Sequence, residues 1–81
     1  MKIQILGTGC AKCKTLTENT ERAVRELGME AEIVKVTEIK EIMQFNVLMT
    51  PGLVIDGQVK AAGRVVSSDD IKKLLVEAGG K

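Results

Sequence analysis

An α/β fold follows from three observations on this 81-residue chain. Short β-type runs alternate with stretches of helical periodicity, in the order β-α-β-α-β-β-α. The opening strand–helix–strand unit requires a parallel strand pair joined by a crossover. Near the end, Asp56-Gly57 separates two β-type runs by two residues, the spacing and composition of a tight hairpin, which adds an antiparallel pair. The expected architecture is a four-stranded mixed sheet with helices on both faces, built as a single domain over residues 1–81.

Each element has its own signal. Lys2-Ile3-Gln4-Ile5-Leu6 is a short strand rich in β-branched residues, ended by Gly7 and Gly9, which let the backbone turn sharply. From about Ala11, Leu16, Thr20, Ala23, Val24 and Leu27 recur at three- and four-residue spacing and share one helical face. Gly28 stops that helix as a C′ glycine does. Glu30 to Val36 is a second strand, whose Glu30, Glu32 and Lys35 suit an edge protected by charge. Thr37 is placed to cap a short second helix with Ile39, Ile42 and Met43 facing inward, and Phe45 to Met49 reads as a loop. Leu53-Val54-Ile55 and Gln58-Val59-Lys60 are the hairpin strands. Ser67 with Asp70 has capping-box spacing at the start of the last helix, Ile71, Leu74, Leu75 and Ala78 form its apolar stripe, and Gly79-Gly80 end it.

Composition removes several functions. A net charge of +1 and a single aromatic residue, Phe45, argue against binding nucleic acid. No stretch approaches the length of about 18 apolar residues that spans a bilayer, and the N-terminus lacks the pattern of a secretory signal. A cytoplasmic monomer without membrane attachment is the expectation.

Both cysteines of the chain, Cys10 and Cys13, stand at C-x-x-C spacing where the first strand gives way to the first helix. In a cytosolic protein that spacing points to redox chemistry or metal binding. With two cysteines and no histidine, a structural zinc site within one subunit is not expected. Cu(I) is a rival ligand, because two thiolates suit a soft monovalent ion. Small copper-transfer domains carry a similar loop, Gly-Met-x-Cys-x-x-Cys, but Thr8 stands where they have Met. They also end in a strand, where this chain ends in a helical pattern. For redox chemistry, Cys10 at the helix start meets unpaired N–H groups and the positive end of the helix dipole, and Lys12 adds a cation. Both favour the thiolate, the nucleophilic form. A redox-sensing interaction module without turnover is a third reading.

Thr50-Pro51 stands just before the strand Leu53 to Ile55. Taken with Gly7-Thr8-Gly9-Cys10-Ala11-Lys12-Cys13, Val54-Ile55-Asp56-Gly57, Gly63-Arg64 and the order of elements, it makes the chain resemble the small thioredoxin-like redox-active disulfide proteins of archaea and bacteria. These are intermediate between thioredoxin and glutaredoxin, and the resemblance covers essentially the whole chain. It implies the thioredoxin fold and a protein-disulfide oxidoreductase. Cys10 would be the nucleophile and Cys13 the resolving thiol. Thr50 and a cis Pro51 would present backbone to an extended substrate, and Lys12 would tune the thiol. No cofactor or metal is implied beyond a redox-active Cys10–Cys13 disulfide. The partners implied are disulfide-containing proteins and a thioredoxin reductase-like electron donor. Gly63-Arg64 and Asp69-Asp70 match only part of the glutaredoxin pattern, which favours a reductase over glutathione. Thioredoxin buries an acid in the strand beneath its motif; Gln4 stands there, so that proton relay is not expected.

Overall fold

A computed structural model describes residues 1–9, 11–47 and 49–78. Strand β1 (Lys2–Leu6) lies inside the sheet, between β2 (Glu32–Val36) and β3 (Gly52–Ile55), and β4 (Gln58–Ala62) closes the other edge. β1 runs parallel to β2 and antiparallel to β3, and β3 pairs antiparallel with β4. Alternation along the strands divides the core in two. Ile3, Ile5, Leu53 and Ile55 face one side, where helices α1 (Ala11–Leu27) and α3 (Ser68–Ala78) bring Leu16, Ala23, Ile71 and Leu75. Leu6, Val36 and Val54 face the other side, covered by α2 (Ile39–Met43) with Ile42 and by Val47 from the loop that follows. Each fully buried Ile or Leu contributes about 1.5–3 kcal/mol through burial, so the first face carries most of the stability.

The local signals operate as their chemistry requires. Gly28 takes a positive φ of 65°, and the N–H groups of Gly28 and Met29 donate to the carbonyls of Arg25 and Val24, closing α1 in a Schellman arrangement. Asp56 and Gly57 both have positive φ, 49° and 84°, the geometry a two-residue hairpin needs. The Asp70 N–H donates to Ser67 Oγ at 3.2 Å, capping α3. The Asn19 side-chain amide donates to the Val66 carbonyl at 3.0 Å and ties α1 to the segment leading into α3.

Four expectations change. β2 starts at Glu32 rather than Glu30, and β4 continues to Ala62. The register of β3 with β4 shifts between Leu53 and Val54, which leaves Lys60 as an extra residue. Thr37 does not cap α2: the cap position is Glu38, without a side-chain cap bond, because the first helical N–H···O bond runs from Ile42 to Glu38. Ile39 and Met43 do not face inward either; they are 64% and 65% exposed. This helix is only five residues long and buries one of them, Ile42, so its contact with the sheet does not extend to Ile39 or Met43 at its two ends. The Gly79-Gly80 stop lies outside the described residues.

Candidate active site

Three segments meet at one end of the sheet: the turn after β1, the first turns of α1, and the loop before β3. Gly7 is the junction. A Cβ built on Gly7 would overlap Cys13 Sγ and lie 3.3 Å from Cys13 Cβ and 4.0 Å from Thr50 Cβ. The sulfur therefore packs directly against backbone, and only a residue without a side chain permits it. The Gly7 N–H donates to the Val36 carbonyl at 3.0 Å, which fixes that backbone to the end of β2. Gly9 serves a different need, a positive φ of 92° with open space around it.

Cys13 is buried, 6% exposed, on α1. The Thr17 hydroxyl one turn later donates to the Cys13 carbonyl at 2.9 Å. The Thr50-Pro51 peptide bond is cis, Pro51 is fully buried, and Thr50 is exposed beside it. The Pro51 carbonyl accepts from the Gly63 N–H at 2.9 Å, so the loop before β3 is bonded to the end of β4. Gly63, at φ 76°, lies beneath Met49: a Cβ there would stand 3.0 Å from Met49 Cβ.

The structure thus brings Cys13, Thr50 and Pro51 into one neighbourhood. Cys10 lies outside the described residues. Lys12 is exposed on the first turn of α1. Gln4 pairs with Val34 and Val54, on the α2 side of the sheet, and does not approach Cys13 from the α1 side. Ile5, on the α1 side, lines a pocket together with Cys13. A pocket of about 100 Å³ opens beside the sulfur, lined by Ile5, Gly7, Gly9, Cys13 and Thr17 with Lys14, Lys35 and Thr37. Among the described residues no three His, Cys, Asp or Glu side chains converge to hold a metal ion.

Sequence reasoning missed two of these contributions. Gly7 reads locally as a turn residue, whereas its role is to make room for a sulfur six positions later. Lys35 reads as edge protection on β2, yet its register opposite Ile5 carries it to the pocket at Cys13. The local pattern signals neither. The parallel pairing of β1 and β2 would have located Lys35.

Comparison with known proteins decides the family. Residues 1–76 match the family of thioredoxin domains. The chain belongs to the thioredoxin family. It is 49% identical over 75 residues to a thioredoxin of Methanothermobacter thermautotrophicus, an alignment covering 93% of this chain and 97% of that protein. It is 47% identical over 73 residues to a thioredoxin of Methanocaldococcus jannaschii, covering 90% of this chain and 84% of the relative. The mixed four-stranded sheet with three helices is accordingly a thioredoxin fold, and the chain is a thiol–disulfide oxidoreductase acting on protein disulfides. Among the described residues no helix is long and apolar enough to cross a membrane.

Proposed function

We propose that Cys10 and Cys13 are the exchanging pair, with Cys10 as nucleophile and Cys13 as resolving thiol, in a single domain acting as a cytoplasmic monomer. The Cys10 thiolate attacks one sulfur of a substrate disulfide, that S–S bond breaks, and one substrate thiolate leaves. The Cys13 thiolate then attacks Cys10 in the mixed disulfide, expelling the second substrate thiolate and leaving Cys10 and Cys13 joined. Two electrons pass to the substrate, and the released thiolates take protons from water. Thr50 and Pro51 offer backbone to an extended substrate segment, and Lys12 favours the Cys10 thiolate by charge. A thioredoxin reductase-like donor returns the pair to the dithiol, with no further cofactor.

The observation that supports this reading best is the packing of Cys13 Sγ on bare backbone at Gly7, with Thr50 alongside. A resolving thiol must stay covered until a mixed disulfide forms next to it, and at 6% exposure Cys13 is covered. Copper carriage remains the alternative to test, since two thiolates alone bind Cu(I).

Insulin-disulfide reduction with dithiothreitol, alongside Cu(I) competition, tests the reading. The unmodified protein should accelerate insulin reduction, and Cys10→Ser should abolish that. Cys13→Ser should accumulate thiol-sensitive adducts on Cys10. Absence of adducts and of turnover, with tight Cu(I) binding by the unmodified protein, would replace exchange by copper carriage.

A further inference from the structure

We propose that Met49 is a site of reversible oxidation, at which a hydroperoxide converts the thioether to the sulfoxide and thereby slows disulfide exchange. The consequence for exchange rests on the role given to Thr50 and Pro51 above; the oxidation of Met49 itself does not.

The four methionines fall into two pairs. Met1 and Met29 are partly buried against the core under α1 and α3, where an oxidant in water reaches the sulfur less readily. Met43 and Met49 are each 65% exposed. Exposure does not separate these two, but their surroundings do. Met43 ends the short α2, and its neighbour Ile42 carries the contact with the sheet. The Met49 side chain lies along Gly63. A Cβ built on Gly63 would stand 3.0 Å from Met49 Cβ, 3.4 Å from its Sδ and 3.5 Å from its Cε. The sulfur is therefore part of the contact and not only its tip. The Gly63 N–H is in turn committed to the Pro51 carbonyl at 2.9 Å. Met49 thus rests on the glycine that anchors Pro51 to the end of β4, and it directly precedes the exposed Thr50.

A sulfur lone pair of Met49 attacks one peroxide oxygen. The O–O bond breaks, the S–O bond forms, and the other oxygen leaves with the peroxide protons as water. The sulfur loses two electrons and the peroxide gains them. The product is a polar group where an apolar one stood. At Gly63 the new oxygen meets no free donor, because that N–H is taken by the Pro51 carbonyl. A polar group is costly to hold without a hydrogen bond, so the oxidised side chain turns to water and leaves Gly63. The backbone at Thr50 and Pro51 then loses the apolar contact beside it. A thiol-dependent sulfoxide reductase reverses the change: two thiols give up two electrons and join as a disulfide, and the oxygen departs as water.

The test protects the cysteines first. Protein oxidised with diamide is treated with hydrogen peroxide, mapped by mass spectrometry, freed of peroxide and assayed for insulin reduction with dithiothreitol beside an untreated sample. Met43 and Met49 should gain oxygen before Met1 and Met29. Insulin reduction should fall roughly threefold to fivefold, the weight of about one methylene group withdrawn from contact, and methionine sulfoxide reductase should restore it. Met43→Leu should show the same fall on treatment. Met49→Leu keeps an apolar side chain without a sulfur, so its ratio of treated to untreated rate should stay near one. An unchanged rate with Met49 fully oxidised, an equal fall in Met49→Leu, or oxidation of Met1 and Met29 ahead of Met49 would overturn the proposal and leave the exchange reading standing. Failure of the untreated protein to reduce insulin would overturn the exchange reading and the consequence drawn from it together.

Discussion

The two faces of the sheet are built to different standards. Under α1 and α3, Ile3, Ile5, Leu53 and Ile55 meet Leu16, Ala23, Ile71 and Leu75, and the partly buried Val24, Leu27 and Leu74 pack around them. Under α2, among the described residues, Leu6, Val36 and Val54 meet Ile42 and Val47, with Phe45 half-buried at the margin. Two long helices close the first face, and one of five residues lies on the second. The site stands where the faces meet: Cys13 belongs to the well-packed side, while Thr50 and Pro51 follow the thin side in sequence.

Like substitutions on the two faces give the strongest test of that difference. Ile71 and Ile42 are both buried isoleucines, one on α3 and one on α2. Truncating a buried Ile to Ala costs about 2–5 kcal/mol, more where the surroundings cannot close on the cavity. Ile71→Ala is expected near the upper end of that range and Ile42→Ala near the lower end, measured by urea unfolding. Equal losses would mean that the thin face is as well packed as the thick one.

The junction between the faces comes next. Gly7→Ala forces a methyl group into the space of Cys13 Sγ, and overpacking of this kind costs about 1–3 kcal/mol. Its effect on insulin reduction should exceed its effect on stability, because Cys13 must shift against Thr50. A Gly7→Ala protein that is destabilised yet fully active would show that the packing of Cys13 is only structural.

How far the chain could be read from its residues follows the same division. α1 and α3 run for several turns, so Leu16, Ala23, Ile71 and Leu75 display a full helical period, and Ser67 and Gly28 mark helix ends by local chemistry. Asp56-Gly57 is likewise local. α2 is too short to show a period, so nothing in its pattern distinguishes Ile39 and Met43 from Ile42; one buried position decides it, and that is set by Leu6, Val36 and Val54 beneath. At the site, the C-x-x-C pair and Thr50-Pro51 were legible as motifs. The space at Gly7 and the place of Lys35 at the pocket lined by Cys13 were not: the first depends on how α1 folds back onto the turn after β1, the second on the register of β1 with β2.

The ends of the thick-face helices offer a smaller effect. Ser67→Ala removes the oxygen that accepts from the Asp70 N–H, and loss of such a cap costs about 0.5–2 kcal/mol. The loss should appear as faster amide exchange in the first turn of α3, with insulin reduction retained, since Ser67 is remote in role from the sulfur. If exchange rises equally in α1, the two helices open as one unit, and the thick face is a single cooperative body.

The smallest effect belongs to the ion pair that bridges α1 and α3. Lys72 on α3 donates to Glu26 on α1 and lies 3.8 Å from Asp69. The hydrogen bond to Lys72 holds the Glu26 carboxyl below its ordinary range, and the same bond raises Lys72 above its own. A lowered carboxyl favours the folded state above its unfolded pKa, and that contribution disappears as pH falls through the folded value. A raised ammonium favours the folded state below its unfolded pKa and ceases to do so as pH rises through the folded value. The pair therefore acts between the acid and alkaline ranges and vanishes at both ends. Both side chains reach solvent, so water and salt screen the attraction. Thermal melting of the unmodified protein against Lys72→Gln should show a small difference near neutral pH at low salt. That difference should disappear in acid, in strong alkali and at high salt. A large neutral-pH difference that survives salt would mean that Lys72 stabilises the helix pair through its methylene chain packed between α1 and α3, and the thick face would then extend to its charged rim.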